Sequence, residues 1–469
     1  MQCLLNSVLI SLLAVWLSAC ASSPKRAQVA LVDIPANWVT LEPELIQASS
    51  ETSTRADWLM YVREDPQLEH LIEQAIVSNK DLAIAAARVA LAHAELKRVQ
   101  PKRLPTIQTS FAGTRQKLNA FGPTLINAPA YDNYSASLGL RWEIDLWGSL
   151  KNQAQSQRAL LESSQANLRY AQMSIASQVV KTWLGIIHLE GQYKLLNKQK
   201  TLQTFYRQSI AERYQKGLLP AEVLLAERVK EQSVNESLEK IVAEKEQIQR
   251  SLKILVGDYP ELSVIEYRPL PQWTVPIPEG IPSELLLNRP DLIASERQLA
   301  GTAAQLKSSK KGRFPKFSLT GSSGGASNEL KTLLKSNSAI WSLGFNLAQP
   351  LIQYGQIKAN IQASEARLKE AEANYEKVVL NAFKEVENAL ANEAYYQRLH
   401  TLTQSRLDDK ERIAALQKAK YRKGSAEFTT FLEAEILALQ GASQYLQLQF
   451  DQLQNRVNLY LALGYSFVN

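Results

Sequence analysis

Residues 134–146 read YSASLGLRWEIDL. The even positions carry Tyr134, Ala136, Leu138, Leu140, Trp142, Ile144 and Leu146, and the odd ones Ser135, Ser137, Gly139, Arg141, Glu143 and Asp145. A period of two held this long makes a strand with one apolar and one polar face. At about ten residues such a strand matches the thickness of a bilayer. A soluble sandwich has the same alternation, but Trp142, Trp147, Trp341 and Tyr354 gather near strand ends, as interfacial aromatics do. A second clean case lies at 340–351, with Trp341, Leu343, Phe345 and Leu347 on one face. Weaker alternation marks strands at 106–116 (Ile107, Phe111) and 316–323 (Phe317, Leu319).

These strands belong to a duplicated chain. YQKGLLPAEVLLAE (214–227) is echoed by YRKGSAEFTTFLEAE (421–435), with Tyr214 and Tyr421 207 residues apart. Lys216 with Lys423, Gly217 with Gly424, Gly148 with Gly355 and Gly257 with Gly464 keep the same spacing. Constant register at five positions indicates an internal repeat.

Between the glycines the chain reads as long helices. Residues 149–215 lack proline and hold only Gly185 and Gly191, and 356–423 hold neither glycine nor proline. Ile357, Ile361, Ser364, Leu368, Ala371, Tyr375, Val378 and Ala382 alternate four and three apart, a heptad seam admitting small residues. Each such helix is about 100 Å long. Returning helices follow at 220–256 and 427–463. Shorter helical stretches at 68–101 and 283–311 contain Asn79-Lys80-Asp81-Leu82 and Arg289-Pro290-Asp291-Leu292 at matching places. The proline-rich stretch 258–282 reads as a non-helical belt between the halves. The expected division is a signal peptide (1–19), an N-terminal extension (20–67), a first repeat (68–258), an equatorial linker (259–283), a second repeat (284–464) and a tail (465–469).

The N-terminal stretch LLNSVLISLLAVWLSA (4–19) is uncharged and ends in small residues, as a secretory signal does. Leu17-Ser18-Ala19-Cys20 resembles the lipobox of bacterial lipoproteins, which makes Cys20 the expected lipidation site, although the preceding MQC lacks Lys or Arg. In lipoproteins of that kind, Ala21 rather than aspartate after the cysteine favours the outer membrane. Cleavage removes Cys3 and leaves no pair for an intrachain disulfide.

Over 469 residues the net charge is a mild +7, and no basic cluster is interleaved with aromatics, so nucleic acid is not an expected partner. His70, His93, His188 and His400 lie on separate segments without ligand spacing, and no nucleophile elbow or phosphate loop appears. The sequence therefore points to no metal, no cofactor and no enzyme.

Four strands cannot close a barrel, and open strand edges are forbidden in lipid. Several copies must share one barrel: two give eight strands with a filled interior, three give twelve and room for a pore. With helices of this length attached, the physics describes a tube. A non-conducting, lipid-anchored coiled-coil rod is the rival reading, and the alternating strands argue against it.

The lipobox, the duplicated strand and long-helix unit, Leu286-x-x-Arg289-Pro290-Asp291-Leu292, Glu143-Ile144-Asp145-Leu146-Trp147-Gly148 and the two Tyr-x-Lys-Gly turns resemble the TolC-like outer membrane efflux protein family, in particular its lipid-anchored NodT-like branch. That resemblance implies a mainly α chain with a membrane β-barrel: three chains of four strands each form a twelve-stranded barrel continued by a long coiled α-helical barrel. It implies a homotrimer that is closed at its periplasmic end at rest, in contact with outer-membrane lipid. It also implies a periplasmic adaptor and an inner-membrane pump of the resistance–nodulation–division type. The expected function is passive export of drugs or other small toxic compounds, with type I protein or peptide secretion and metal efflux as alternatives. The two turns become the periplasmic tips, with Lys216, Gly217, Leu218, Lys423, Gly424 and Ser425 meeting the adaptor. Glu433, Glu427, Glu435, Glu222 and Tyr421 are gate candidates, and Glu227 is another carboxylate beyond the first turn. In the family an acidic residue after the second turn lines the constriction, and Glu433 matches it. Thr430 replaces a family aspartate and Ala426 an arginine involved in closure, so the closing network is altered.

Overall fold

The computed structural model describes residues 65–117, 130–262, 268–271, 288–350 and 354–465. Cys20, the signal segment, most of the proline-rich linker and the tail beyond Tyr465 lie outside them. The chain divides into two compact units. One is built from the described parts of Arg88–Gln165 and Ala294–Lys377, the other from those of Val32–Ala87, Ala166–Ile293 and Val378–Asn469.

The elements run α1 (Pro66–Ser78), α2 (Lys80–Val99), β1 (Thr106–Gln116), β2 (Tyr131–Ile144), α3 (Ser149–Gln215) and α4 (Ala221–Leu255). Then follow α5 (Pro290–Lys311), β3 (Lys316–Ser327), β4 (Ala339–Ala348), α6 (Tyr354–Arg422) and α7 (Phe428–Ala462). The two long helices have 67 and 69 residues.

One expected helix is broken. The stretch 68–101 divides at Asn79, whose backbone leaves the helical region at φ −62°, ψ 132°. Its Oδ1 accepts from the backbone N–H of Asp81 (2.9 Å) and Leu82 (3.1 Å), capping α2. Asparagine serves a helix start better than a helix interior, because its side chain satisfies the orphan amides. Gly355, expected to open the second long segment as Gly148 opens the first, instead lies inside α6. Gly148 has φ +73°, whereas Gly355 is not among the positive-φ glycines.

In the first unit, the strands form one antiparallel sheet in the order β1-β2-β3-β4. Tight register keeps like with like: Leu140 lies opposite Ile107 and Gly321, and Leu319 opposite Trp142 and Phe345. One face is therefore apolar and the other polar, with Ser110–Ser137 (2.8 Å) and Ser322–Ser342 (2.7 Å) hydrogen bonds across strands. β2 begins three residues before the expected 134 and ends at Ile144, because Asp145 turns to accept the amides of Leu150 and Lys151. β3 runs four residues past 323, and β4 stops at Ala348. Small side chains let the nearby helices approach closely, with Ser149 and Ser308 hydroxyls 3.2 Å apart and Ser309 and Ser364 2.9 Å apart. The seam from Ile357 to Ala382 is half-buried or buried at all eight positions.

In the second unit, α1 packs through Leu68, Ile72 and Ala75 against Val180, Trp183 and Leu184 of α3, Leu252 of α4 and Val457 and Tyr460 of α7. Asp65 caps α1 and also accepts the Trp183 indole N–H at 3.2 Å. Val386 and Leu390 of α6 meet Leu459 and Ala462 of α7. Fully buried Glu393 pairs with Arg456 at 2.6 Å. Each large aliphatic side chain buried here stabilises by about 1.5–3 kcal/mol before entropy is charged, whereas the Glu393–Arg456 pair must offset its own desolvation.

Candidate functional site

Both hairpin ends in the second unit are made the same way. After α3, Gly217 adopts φ +69°, Leu218 N–H bonds the Arg213 carbonyl (2.9 Å) and Gly217 N–H the Tyr214 carbonyl (2.8 Å). After α6, Gly424 adopts φ +71°, with Ser425 N–H on Lys420 (2.9 Å) and Gly424 N–H on Tyr421 (2.9 Å). This pair of bonds is the Schellman motif, which needs a left-handed residue and so favours glycine. Lys216, Gly217, Leu218, Lys423, Gly424 and Ser425 are all exposed.

Aromatic side chains tie the two ends together. Tyr421 stacks on Phe431 at 5.6 Å and lies 5.2 Å from Phe428, which in turn lies 5.5 Å from Phe205 and 5.8 Å from Tyr206. Tyr421 thus packs as a tip aromatic. Phe428 and Phe431 were missed in the sequence, where FTTF reads only as the apolar start of a helix.

The candidate carboxylates separate by environment. Glu433 is exposed and lines a groove of about 600 Å³ with Gln203, Tyr206, Glu227 and Lys230. Glu227 is buried, accepting from Gln203 Nε2 (2.7 Å) and Lys230 Nζ (2.8 Å), so its charge is spent within the hairpin. The Glu227 hydrogen bond holds the Lys230 ammonium above its usual range, with Glu433 adding to it, while burial and then the Glu227 charge push Tyr206 up. Glu435 lies on another side of α7, 3.9 Å from Lys418. Glu427 precedes α7 and accepts from Thr429 Oγ1 at 3.2 Å. Exposed Glu222 sits in the first turn of α4, where the helix dipole favours it.

The histidines stand apart from this region's chemistry. His188 is buried and stacked on Phe450, and His400 shares a 2.9 Å hydrogen bond with Tyr445.

In the first unit, the sheet is a separate candidate site. Ile107, Phe111, Leu138, Trp341, Leu343, Phe345 and Leu347 are exposed along its apolar face, Trp341 by 80%. β1 and β4 each pair on one side only. Among the described residues no helix is long and apolar enough to cross a membrane.

Bilayer-length strands with an unburied apolar face, in a chain whose other elements are long helical hairpins, define the class as an outer-membrane conduit. The chain belongs to the outer membrane efflux protein family, whose model matches residues 71–257 and again 281–465. It is 28% identical over 408 residues to the toluene efflux pump outer membrane protein TtgI of Pseudomonas putida, covering 85% of both chains. It is 26% identical over 458 residues to the cation efflux system protein CusC of Escherichia coli K12, covering 96% of this chain and 97% of that one. Among solved structures, the outer-membrane channel OprN superposes with a TM-score of 0.82 at 26% identity, over 93% of this chain and 98% of that one. The protein is the outer-membrane channel component of an efflux system, with the fold class that the family resemblance implied.

Proposed function

We propose that three copies join their sheets edge to edge into one twelve-stranded barrel, and that the helical hairpins continue it as a passive conduit through the periplasm. The observation that carries this is the pair of open edges on a sheet whose apolar face is unburied. Neither edge is tolerable in lipid until another chain pairs with it. Two such sheets make only a filled eight-stranded barrel, whereas three leave a lumen for the polar face.

The exposed hairpin ends are the docking points for a periplasmic adaptor, with Leu218 as the apolar contact and Lys216 and Lys423 as polar ones. An inner-membrane pump of the resistance–nodulation–division type supplies the energy and the choice of substrate. Cargo comprises small toxic compounds, organic solvents or metal cations among them, as the names of the relatives suggest. Glu433 is the carboxylate best placed to line the periplasmic constriction, because it lines the groove beside Lys230, whereas Glu435 lies 3.9 Å from Lys418 and Glu427 precedes α7 and accepts from Thr429. Acylation of Cys20 adds a second membrane attachment. No catalytic step is involved.

Mass measurement in mild detergent tests the assembly. Three copies per particle are expected, and a monodisperse monomer would overturn the shared barrel.

A further inference from the structure

We propose that the foot of the sheet in the first unit is a binding site for an amphiphilic anion: a phosphate, sulfonate or carboxylate head on an apolar tail. A cavity of about 450 Å³ opens where β1, β2 and β3 meet the ends of α3 and α5. That volume suits a small organic ligand.

Its charge is unbalanced. Lys102, Arg141, Lys311 and Lys316 line it against only two carboxylates, Glu143 and Asp145. Asp145 is already committed, accepting the backbone N–H groups of Leu150 (3.1 Å) and Lys151 (2.7 Å) at the start of α3. Glu143 stands 4.0 Å from Lys316, a loose pair. Lys311 Nζ donates, among the described residues, only to the Gly148 carbonyl, at 3.5 Å. Among the described residues no carboxylate comes within ion-pair distance of Lys102, Arg141 or Lys311. Like charges gathered in a concave wall repel one another unless an anion enters.

Leu104, Leu146, Trp147 and Phe314 give the cavity an apolar side, beside an uncharged polar lining that includes Thr106 and Gln153. Trp147 and Phe314 stack with centroids 5.0 Å apart, and the Trp147 indole is fixed by donating to the Pro315 carbonyl at 2.8 Å. Leu104 beside them is exposed. An inorganic ion would leave this wall wet, and a neutral apolar molecule would leave the cations unused. A molecule with an anionic head and an apolar tail satisfies both. Such a ligand comes either from the membrane, as an anionic phospholipid, or from the conduit, as a solute in transit.

The test is calorimetric titration of decyl phosphate into the full-length protein in a neutral detergent. Saturable binding is expected, with inorganic phosphate and decanol each at least about tenfold weaker, since each lacks one half of the interaction. Arg141→Gln should weaken decyl phosphate by about tenfold, the loss of one charge-assisted contact, and Lys102→Gln/Lys311→Gln, which removes two cations, by more than that. Particle mass must stay that of wild type, so that loss of assembly is not read as loss of a site. Equal affinity in wild type and both variants, or binding by decanol as tight as by decyl phosphate, overturns the proposal. The source is then read in vesicles from the part of the tryptophan emission that Trp147→Phe removes. Stronger quenching by brominated phosphatidylglycerol than by brominated phosphatidylcholine, abolished in Lys102→Gln/Lys311→Gln, assigns the site to lipid. Equal quenching by the two lipids assigns it to solute. Conductance is not read anywhere in this test, so its failure leaves the conduit intact.

Discussion

Asn79 donates its side-chain amide to the Leu255 carbonyl at 2.9 Å, and Arg289 donates its Nη1 to the Ala462 carbonyl at 3.1 Å, the corresponding place in the second repeat. Both bonds tie the start of a shorter helix to the last turn of a returning one. Beside each lies a left-handed glycine, Gly257 and Gly464. The repeat has conserved the joint while changing its chemistry. Arg289 adds ion pairs to Asp291 (2.7 Å) and Glu385 (2.8 Å). Burial alone would pull its pKa down, but the hydrogen bonds and charges of Asp291 and Glu385 outweigh it and keep the guanidinium charged.

Removing the buried cation strands two carboxylates and a carbonyl. Arg289→Gln should therefore cost about 2–3 kcal/mol, discounted because Glu385 is half exposed. Asn79→Ala loses a neutral bond and a helix cap, about 1–2 kcal/mol together. Denaturant midpoints of the two variants give the comparison, and equal losses would show that the ion pairs contribute nothing.

Glycine substitutions separate strain from clash. At Gly217 an added Cβ meets nothing within 4 Å, so Gly217→Ala costs only the left-handed backbone, about 1–2 kcal/mol. At Gly257 the same Cβ would also sit 2.5 Å from the Ser78 carbonyl oxygen. Gly257→Ala should thus be distinctly the more damaging, read as a larger drop in thermal midpoint.

The sheet predicts a face-dependent penalty. Leu343 is 71% exposed on the apolar face, while its neighbour Ser342 lies on the polar one, bonded to Ser322. If the apolar face meets lipid, Leu343→Lys costs about 2–4 kcal/mol per chain near mid-bilayer, whereas Ser342→Lys costs little more than one hydrogen bond. The yield of assembled protein in outer-membrane fractions distinguishes them. Equal yields would mean that neither face contacts lipid.

Much of this was legible in the sequence because it is periodic. The strand 134–146, the heptad seam and the constant spacing of glycines each repeat a local rule, and local rules can be read without coordinates. What escaped was tertiary. The break at Asn79 depends on a side chain capping its own helix while bonding Leu255, 176 residues away. The aromatic knot of Tyr421, Phe428 and Phe431 depends on Phe205 from the other hairpin. Glu227 and Glu433 look alike in sequence, and only the neighbours Gln203 and Lys230 make one buried and leave the other open.

His188 gives the second unit an acid sensitivity. Burial holds its imidazole below the ordinary range, opposed less strongly by the Asp451 charge and a hydrogen bond with Gln447. The unfolded chain takes up a proton near pH 6.5, roughly the free-histidine value, while the folded chain does so only at lower pH. Between those values the unfolded state binds more protons, so this contribution is complete above about pH 6.5 and is lost as pH falls toward the folded value. His188→Phe, which preserves stacking on Phe450, should flatten that decline in denaturant midpoints measured across it. An unchanged slope would place the sensitivity elsewhere.

The constriction offers the sharpest test of the proposed conduit. Glu433 is exposed in a groove it shares with Lys230, while Glu435, two residues on, points toward Lys418. Two residues on a helix are about 200° apart, so only one of these carboxylates faces a central pore. With three copies around an axis, Glu433 would form a ring that attracts cations and binds trivalent ones. Glu433→Gln should then lower cation preference and weaken trivalent block in reconstituted bilayers, with Glu435→Gln close to wild type. Lys230→Gln should act in the opposite sense, because it removes the nearby positive charge that partly offsets Glu433. Recordings belong at low salt, where screening over about 10 Å is weakest. Unchanged selectivity and block in Glu433→Gln would move that carboxylate to the solvated outside of the hairpin, and the constriction would have to be sought at another ring of side chains.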